Sequence, residues 1–485
     1  MLRSAKLVKI SCIFTKKHLW SVVYKLQDLG IVHLEKAKPI DNFKPVEVKD
    51  RNCYYLQELL KSANSLVALI ESRSLKPFLI KIFGQRRIYL FQRKDIGFDE
   101  IKKDLKKLEK KYAKLKYKKQ MINLSDYSYV LFLRDSVKDK LERYSALENF
   151  TESDYLARFV GWIKPEDANR LTSAIEFVTK KACVFTICKP KYFDMVPTLL
   201  NNPFFIKPFE IFVENYEVPE YRDINPTPII ALTFTLIFGL MFADLGYGIS
   251  LTALSLFVYF YTTKESAFRR NLNIILIYLG ISSALFGFFL GEFFGISFRN
   301  WATSPIDDIL LFLKISIVVG LVHMSTGILA KMFSSIKNMK NVLQCISLLV
   351  IIWSAFSLFI NTNLLISKIL LFVGIFVLAA VQRFEALKEL MSLAVASLSY
   401  MRIAIIGFGH FIINRLIVSS YPSMSGSILG SILFIAVFII GFAIVLTLGI
   451  FVTIVQDVRL HWIEFFPKFI AGRGIRFNAF KHKEI

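Results

Sequence analysis

The chain has 485 residues, of which 54% are hydrophobic and 46 are phenylalanine, and its formal net charge is +23. This composition is too apolar for a water-soluble protein, and the long apolar runs begin near residue 225. A strongly basic chain can bind nucleic acid, but lysine-rich loops on the inner side of a membrane explain the charge better here. We therefore expect no nucleic-acid partner.

The first part of the chain, residues 1–224, is predicted to be a cytoplasmic α/β domain. Its pattern indicates two β-α-β units, in each of which an amphipathic helix separates two strands rich in β-branched residues. These units lie at about 5–36 and 155–188. The helical stretches between them predict a helical hairpin that joins two small α/β lobes.

One of these helical stretches, residues 99–120, is strongly amphipathic. Its lysines crowd one face, and the other face carries Ile101, Leu105, Leu108, Tyr112 and Leu115. A helix with a solvated lysine face is the simpler interpretation. The alternative is a basic face that docks an acidic helix of a partner.

The cysteines and the first residues bear on the compartment of this domain. The cysteine spacing, without nearby histidines, favours reduced thiols over a metal site, so no metal or other cofactor is expected. The first residues lack the apolar core of a signal peptide, so we expect the domain to stay in the cytoplasm. The five cysteines are Cys12, Cys53, Cys183, Cys188 and Cys345.

The second part, residues 225–485, is predicted to be a membrane domain of eight transmembrane helices. The last two apolar runs exceed the roughly 20 residues that a bilayer requires, so they should be long and tilted. The fold class is therefore an α-helical membrane protein with an N-terminal α/β domain. The runs lie at about 229–243, 245–262, 272–290, 308–330, 342–360, 364–381, 391–418 and 427–457.

Charge in the loops predicts the orientation of these helices. Lysine and arginine concentrate in alternate loops, at 263–270, 331–340 and 382–390, whereas the loop at 419–426 has no charge. By the positive-inside rule the basic loops and both termini face the cytoplasm. We expect an integral, multi-pass protein of the cell membrane.

Polar residues inside the last two segments are the candidates for function, because ionisable groups at membrane depth are costly. Arg402 lies deep in the seventh segment, too far from its end for easy snorkelling. Structural pairing of Arg402 with Glu389 or Asp457 is the competing interpretation, and His410 alone would more often be a packing residue. The candidates are Glu389, Ser399, Arg402 and His410 in the seventh segment and Gln456, Asp457 and Arg459 in the eighth.

Several motifs, in order along the chain, resemble those of one family. "NPTPIIALTFTLIFGLMFADLGYG" (225–248) is similar to the entry of the membrane domain of subunit a, called subunit I in archaea, of rotary V-type and A-type ATPases. The resemblance spans the whole chain, and the ordered set is specific. The other motifs are "LGIVHLEK" (29–36), "FVGWI" (159–163), "GEFFG" (291–295), "GLVHMSTG" (320–327), "SLSYMRIA" (397–404) and "VRLHWIEFFPKF" (458–469).

The resemblance implies a stator beside a rotating ring of proteolipids, the c-ring, with two half-channels that lead ions to and from the ring carboxyls. The essential arginine of the family falls on Arg402, and the second arginine falls on Arg459 with Gln456 as its companion. Glu389 matches an acid of one half-channel, and His410 matches a histidine of some members. The remaining matches, which line a half-channel or are structural, are Asp244, Glu292, His323, Ser399 and Asp457.

The resemblance also implies partners and excludes catalysis on this chain. The cytoplasmic domain would bind peripheral-stalk subunits and the collar subunit of the central stalk, and the membrane domain would contact lipids. No G-x-x-x-x-G-K-[ST] motif occurs in the sequence, so the chain is expected to be non-catalytic, with ATP chemistry on another subunit. The transported ion is taken to be a proton, although the ring subunit carries the ion-binding carboxyl and Na⁺ stays open.

Three positions depart from the family pattern. Asn225 replaces a usual aspartate, Lys164 lengthens the spacing before Pro165, and Gly449 stands where eukaryotic members carry an acid. Together with the short hairpin, Gly449 favours the archaeal or bacterial type. A stand-alone secondary ion transporter is the alternative function, although no clear inverted repeat supports it. A membrane scaffold or receptor is the third class.

Overall fold

The computed structural model describes residues 4–36, 43–46, 50–73, 97–113, 124–191, 193–262, 267–298, 309–336, 338–360, 364–420, 428–470, 472 and 474–482. Its contacts divide the chain into two compact units. One comprises Ala5–Pro197 with Arg476–Ile485, and the other comprises mainly Thr198–Thr262 and Phe268–Ile475. Residues 198–224 thus group with the apolar helices, and the end of the chain groups with the first unit. The functional division into 1–224 and 225–485 stays a prediction.

The first unit contains one six-stranded antiparallel sheet. Strand β1 pairs with β5 over its whole length, from Val8 opposite Ile163 to Thr15 opposite Leu156, and with β6 on its other side. The order is β3-β4-β5-β1-β6, and β2 shares an edge of β5 with β4. The strands are β1 (Val8–Thr15), β2 (His33–Glu35), β3 (Lys44–Pro45), β4 (Phe150–Glu152), β5 (Leu156–Ile163) and β6 (Cys183–Cys188).

The two predicted β-α-β units share this sheet, which differs from the predicted pair of separate lobes. Strands β1 and β2 run parallel with β5 between them, and β5 and β6 run parallel with β1 between them. The two strands of each β-α-β unit are separated by a gap one strand wide. A strand of the other β-α-β unit fills that gap, as in the split β-α-β arrangement. Helices α1 (Leu19–Leu29) and α5 (Ala168–Thr179) each bury one apolar face in the core of this sheet. The buried residues are Leu19, Val22, Val23 and Leu26 of α1 and Leu171 and Ile175 of α5.

Three further helices of this unit form a second core. They are α2 (Asp50–Arg73), α3 (Phe98–Ala113) and α4 (Leu124–Leu147). The predicted apolar face of the amphipathic helix is confirmed for Ile101, Leu105, Leu108 and Tyr112, which are all buried in that core, whereas Leu115 lies outside the described residues. The lysines of the described part, α3, stay largely in solvent, which fits the interpretation as a solvated face.

The second unit is a bundle of apolar helices. Six of the described helices are long and apolar enough to cross a membrane: Phe268–Leu290, Ile309–Ser334, Met339–Phe359, Leu364–Gln382, Glu385–Ser419 and Ile428–Lys468. The first two predicted segments form shorter apolar helices, Thr227–Met241 and Leu245–Phe260. The count of eight transmembrane helices therefore stays a prediction.

The secondary structure of this unit begins with a short helix and ends with two long, interrupted segments. The elements are α6 (Glu210–Tyr216), α7 (Thr227–Met241), α8 (Leu245–Thr262), α9 (Ala267–Leu290), the hairpin β7 (Glu292–Phe293) and β8 (Ile296–Ser297), α10 (Ile309–Ser334), α11 (Met339–Phe359), α12 (Leu364–Gln382), α13 (Glu385–Ser399), α14 (Met401–Ser419), α15 (Ile428–Ile444) and α16 (Ile450–Arg459). Tyr400 separates α13 from α14, and π-helical turns occur at Val445–Gly449 and Leu460–Phe465. Such turns are frequent at functional sites.

Candidate functional site

Arg402 is the second residue of α14, directly after the break at Tyr400. Its side chain is half-buried, and its Nη1 atom is buried without a hydrogen-bond partner among the described residues. No carboxylate of the described chain lies within 4.0 Å of it, so the predicted pairing with Glu389 or Asp457 is not seen. The charges that act on its guanidinium come from Arg459 and Glu464. Arg402 is therefore a cation inside a candidate membrane span, Glu385–Ser419, without a salt-bridge partner in the described chain.

Arg402 and Arg459 belong to a surface of the two long segments that the described chain leaves uncovered, here called the open face. Side chains one helical turn apart lie on the same side of a helix, so their exposure forms a stripe. Ile405, Phe451 and Ile463 are 61%, 65% and 55% exposed. The open face comprises Met391, Val395, Leu398, Arg402, Ile405 and Gly409 on one segment, and Leu448, Phe451, Val455, Arg459 and Ile463 on the other.

Gln456 and Asp457 lie next to this face but differ in their surroundings. Gln456 is half-buried, one turn before Arg459, and its Oε1 atom is buried without a partner. Asp457 is fully buried, with Oδ1 at 3.2 Å from Nδ1 of His461. Asp457 thus faces the interior of the unit and not the uncovered surface.

A buried cluster of polar groups surrounds His461. Its Nε2 atom lies 2.9 Å from the Thr233 hydroxyl, and its ring centroid lies 4.6 Å from that of His323. The Nδ1 atom of His323 lies 2.9 Å from the Tyr400 hydroxyl, whereas its Nε2 atom is buried without a partner among the described groups. Of these residues, His323 was a candidate from the sequence, whereas His461 and Thr233 were not, although the four-residue spacing of Asp457 and His461 was a usable signal.

Glu389 borders a cavity of about 430 Å³ near the start of α13 and the end of the last segment. Its Oε1 atom accepts a hydrogen bond of 3.3 Å from Gln344. Glu464 also lines this cavity and acts electrostatically on Arg402, so it links the cavity to the arginine. The polar lining is Lys331, Gln382, Glu385, Lys388, Glu389, Ser392, Glu464 and Lys468.

Glu464 and Lys468 were missed as candidates because the sequence assigns "IEFFPKF" only to the end of a segment. Lys468 lies 3.4 Å from the Ser392 hydroxyl, and its charge interacts with Glu389, Lys331 and Glu464. Lys331 entered the sequence analysis only as a loop charge. The fold brings these residues together from three helices distant in sequence.

The carboxylate of Asp244 binds backbone N–H groups of two neighbouring elements. Its carboxylate accepts hydrogen bonds from the backbone N–H groups of Tyr247, Phe294 and Gly295, at 3.0, 3.1 and 3.3 Å. It therefore caps the start of α8 and fixes the β7–β8 turn, because the first N–H groups of a helix need acceptors. These bonds favour the structural interpretation of Asp244.

Glu292 is likewise buried, in the same hairpin. Its carboxylate accepts a hydrogen bond of 2.8 Å from Ser297, whose hydroxyl also receives a 3.1 Å bond from Arg415. Ser399 is half-buried beside the break at Tyr400.

His410 packs against the first π-helical turn. Its Nε2 atom lies 3.1 Å from the Thr453 hydroxyl, and its ring meets the ring of Phe242 edge-on. A Cβ atom added to Gly449 would lie 2.7 Å from Cε1 of His410. The glycine at this position is therefore required by the histidine beside it.

These helices and their polar residues define a multi-pass membrane protein with charged groups inside its apolar bundle. The sequence model of the family described as "V-type ATPase 116kDa subunit family" matches residues 78–304. This match confirms the resemblance that the motifs indicated, over these residues.

The relatives extend the similarity over most of the chain. A protein named "A-type ATP synthase subunit I" of Pyrococcus horikoshii is 25% identical over 491 residues, which cover 94% of this chain and 74% of that protein. The protein of the same name from Methanothermobacter thermautotrophicus is 25% identical over 90% of this chain and 67% of its own length. "V-type ATP synthase subunit I 2" of Treponema pallidum is 28% identical over 34% of this chain and 37% of its own.

Proposed function

We propose that this chain is the membrane stator subunit of a rotary V/A-type ATPase and forms the two half-channels that lead ions to and from a ring of proteolipids. The observation that carries this proposal is the place of Arg402. It lies at membrane depth on the open face, without a carboxylate within salt-bridge distance in the described chain. The names of the relatives, as subunits I of ATP synthases, support the same complex.

The open face fits a moving partner in the membrane. Its residues are apolar apart from the two arginines, so a ring of helices with one carboxyl group per subunit could slide along it. Arg402 would attract each ring carboxylate after it loses its proton. Because a guanidinium does not release its own proton, the same side chain prevents a direct leak between the half-channels.

The cavity beside Glu389 is the proposed access path from the cytoplasmic side. Its lining includes Lys331, Gln382 and Lys388 from the basic stretches at 331–340 and 382–390, which the positive-inside rule places in the cytoplasm. Glu464 lines this cavity and acts electrostatically on Arg402, so it would pass an ion to the ring. His410, Gln456 and Asp457 belong to the proposed path on the other side of Arg402, and Arg459 supplies a second cation beside it.

The remaining parts of the proposal concern coupling. The chain would be non-catalytic, with ATP synthesis or hydrolysis on other subunits, and it would sit in the cell membrane with both termini in the cytoplasm. The first unit would bind the peripheral stalk and the collar of the central stalk, which restrains the stator against torque. Its two cores, the sheet and the three-helix cluster, offer separate surfaces for these contacts.

The test replaces Arg402 in the intact complex. We expect Arg402→Ala and Arg402→Lys to abolish ATP-driven acidification of vesicles while the proteolipid and the ATPase head subunits still co-purify. The matched control is Arg415→Ala, which removes an arginine of the same helix that bonds to Ser297. Pumping at the wild-type rate by Arg402→Ala would overturn the proposal. So would a chain that purifies without proteolipid and moves ions alone in liposomes, which would support the transporter.

A further inference from the structure

The last described residues, 476–482, form a tail segment that docks on the first unit. Phe480 is 7% exposed in the core of the sheet, and its backbone N–H donates a 2.8 Å hydrogen bond to the carbonyl of Val32. Phe477 packs against the ring of His33. The chain thus leaves the helical unit after Ile475 and returns to the sheet that its first residues began.

His482 ends this docking between two carboxylates from different helices. Its Nδ1 atom lies 2.6 Å from Oδ2 of Asp139 on α4, and its Nε2 atom lies 3.0 Å from Oδ1 of Asp28 on α1. An ionised carboxylate only accepts hydrogen bonds, and a neutral imidazole has one N–H to donate. Both contacts can be hydrogen bonds at once only when the ring carries both protons.

We propose that His482, Asp28 and Asp139 form a proton-dependent clasp, which holds the tail segment on the sheet unit when His482 is protonated and releases it as the pH rises. Protonation and docking are linked, because the docked state binds one more proton than the released state. The clasp is therefore complete at the acid end of the histidine range and is lost toward its alkaline end. This device is independent of the proposed ion path.

The other charged groups around the clasp do not supply the same switch. The ammonium of Lys138, beside Asp139, lies 3.9 Å from the carboxylate of Asp135, and Lys481 is an exposed residue. His33 contacts the tail segment at its other end, where its Nδ1 atom lies 3.0 Å from the backbone nitrogen of Asn478 and 3.1 Å from the carbonyl oxygen.

The contact of His33 survives a change of protonation. A neutral ring accepts from the N–H of Asn478, and a protonated ring donates to the carbonyl of the same residue. Burial lowers the pKa of His33, which favours its neutral form.

The test is hydrogen exchange of residues 476–482 in the full chain, reconstituted in lipid nanodiscs, at about pH 6 and about pH 8 with correction for intrinsic exchange rates. We expect protection of the tail segment to fall by about tenfold or more on raising the pH, since charge-assisted hydrogen bonds are lost. His482→Gln should be weakly protected at both pH values. His482→Arg, a permanent cation with several donors, should be protected at both.

Two further variants make the outcome specific. Lys481→Gln removes a neighbouring charge of the same sign and should keep the wild-type pH response. Asp139→Asn should lower the protection at acid pH, because the shorter of the two bonds loses its charge. Equal protection of the wild-type tail segment at both pH values, or a wild-type response in His482→Gln, would overturn the clasp.

Discussion

The Tyr400 hydroxyl lies 2.9 Å from Nδ1 of His323, and both side chains are buried. Tyr400 is the residue at which α13 gives way to α14, two positions before Arg402. Gly320 on α10 makes room for its ring, because an added Cβ atom there would collide with it. The break that positions Arg402 is thus anchored to α10 by one glycine and one histidine.

Replacement of Tyr400 by phenylalanine tests this anchor. We expect Tyr400→Phe to destabilise the chain by roughly 1–3 kcal/mol, because the buried Nδ1 atom of His323 then also loses its hydrogen-bond partner. Misplacement of Arg402 should also slow ion-driven turnover in the complex. Thermal unfolding in detergent and proton pumping by vesicles measure the two effects. Tyr278→Phe, whose ring stacks on Phe209, is the control and should change neither.

Gly449 and Gly409, one in each long segment, differ in how much space surrounds them. Substitutions at these two glycines therefore test packing inside the chain and contact with a partner separately. A methyl group on Gly449 would meet His410 and Phe242 at 2.7 and 3.0 Å, whereas no atom of the described residues lies within 4 Å of one on Gly409. We expect Gly449→Ala to cost about 1–3 kcal/mol through overpacking. Unfolding of the purified chain should show this loss.

Gly409→Ala should have the opposite effect on the isolated chain. Alanine favours a helix interior over glycine by about 1 kcal/mol, and the described residues leave room for it. If a ring of helices passes along the open face, this variant should nevertheless slow turnover of the complex. Wild-type turnover of both Gly409→Ala and the larger Gly409→Leu would contradict the placement of the ring at this face.

The local features of the fold could be predicted from periodicity. The amphipathic face that includes Ile101 and Leu108 is set by contacts one turn apart, so the sequence shows it directly. The sharing of one sheet by the two β-α-β units depends on which strand fills which gap, and β1 and β5 are far apart in sequence. Such long-range pairing leaves no periodic signal.

The candidate site likewise contains residues that the sequence alone identifies and residues that only the fold reveals. Arg402 was identified because a cation in an apolar run is costly wherever the helix packs. Glu464 and His461 could not be identified as candidates from the sequence, because their neighbours lie on other segments. Glu464 lines the cavity beside Glu389, and the ring of His461 packs near that of His323.

Substitutions of Asp244 test whether this residue has a structural role or belongs to the ion path. Asp244→Ala removes the acceptor of three backbone N–H groups and should destabilise the chain by roughly 1–3 kcal/mol for each buried donor left unpaired. Asp244→Asn keeps one acceptor oxygen and should lose less. The measurement is thermal unfolding beside pumping, and pumping should fall only as far as the folded fraction does. A stable Asp244→Asn chain that no longer pumps would instead place Asp244 in the ion path.

Glu464 lines the cavity and acts electrostatically on Arg402, and its neutralisation tests whether it belongs to the proposed ion path. We expect Glu464→Gln to slow pumping by about tenfold or more, because positioned proton-transfer groups contribute at least that much. Glutamine has nearly the same shape, so the unfolding temperature should stay close to that of the wild type.

Glu385→Gln is the matched control for Glu464→Gln, because both carboxylates line the cavity but Glu385 is exposed in the first turn of α13. Its loss should cost about 0.3–1 kcal/mol of stability through the helix dipole and leave pumping nearly unchanged. Equal effects of the two variants on pumping would show that pumping depends on the total charge of the cavity and not on Glu464 in particular. Normal pumping by Glu464→Gln would remove Glu464 from the path, and the access to Arg402 would then have to run beside it, along Glu389 and Ser392.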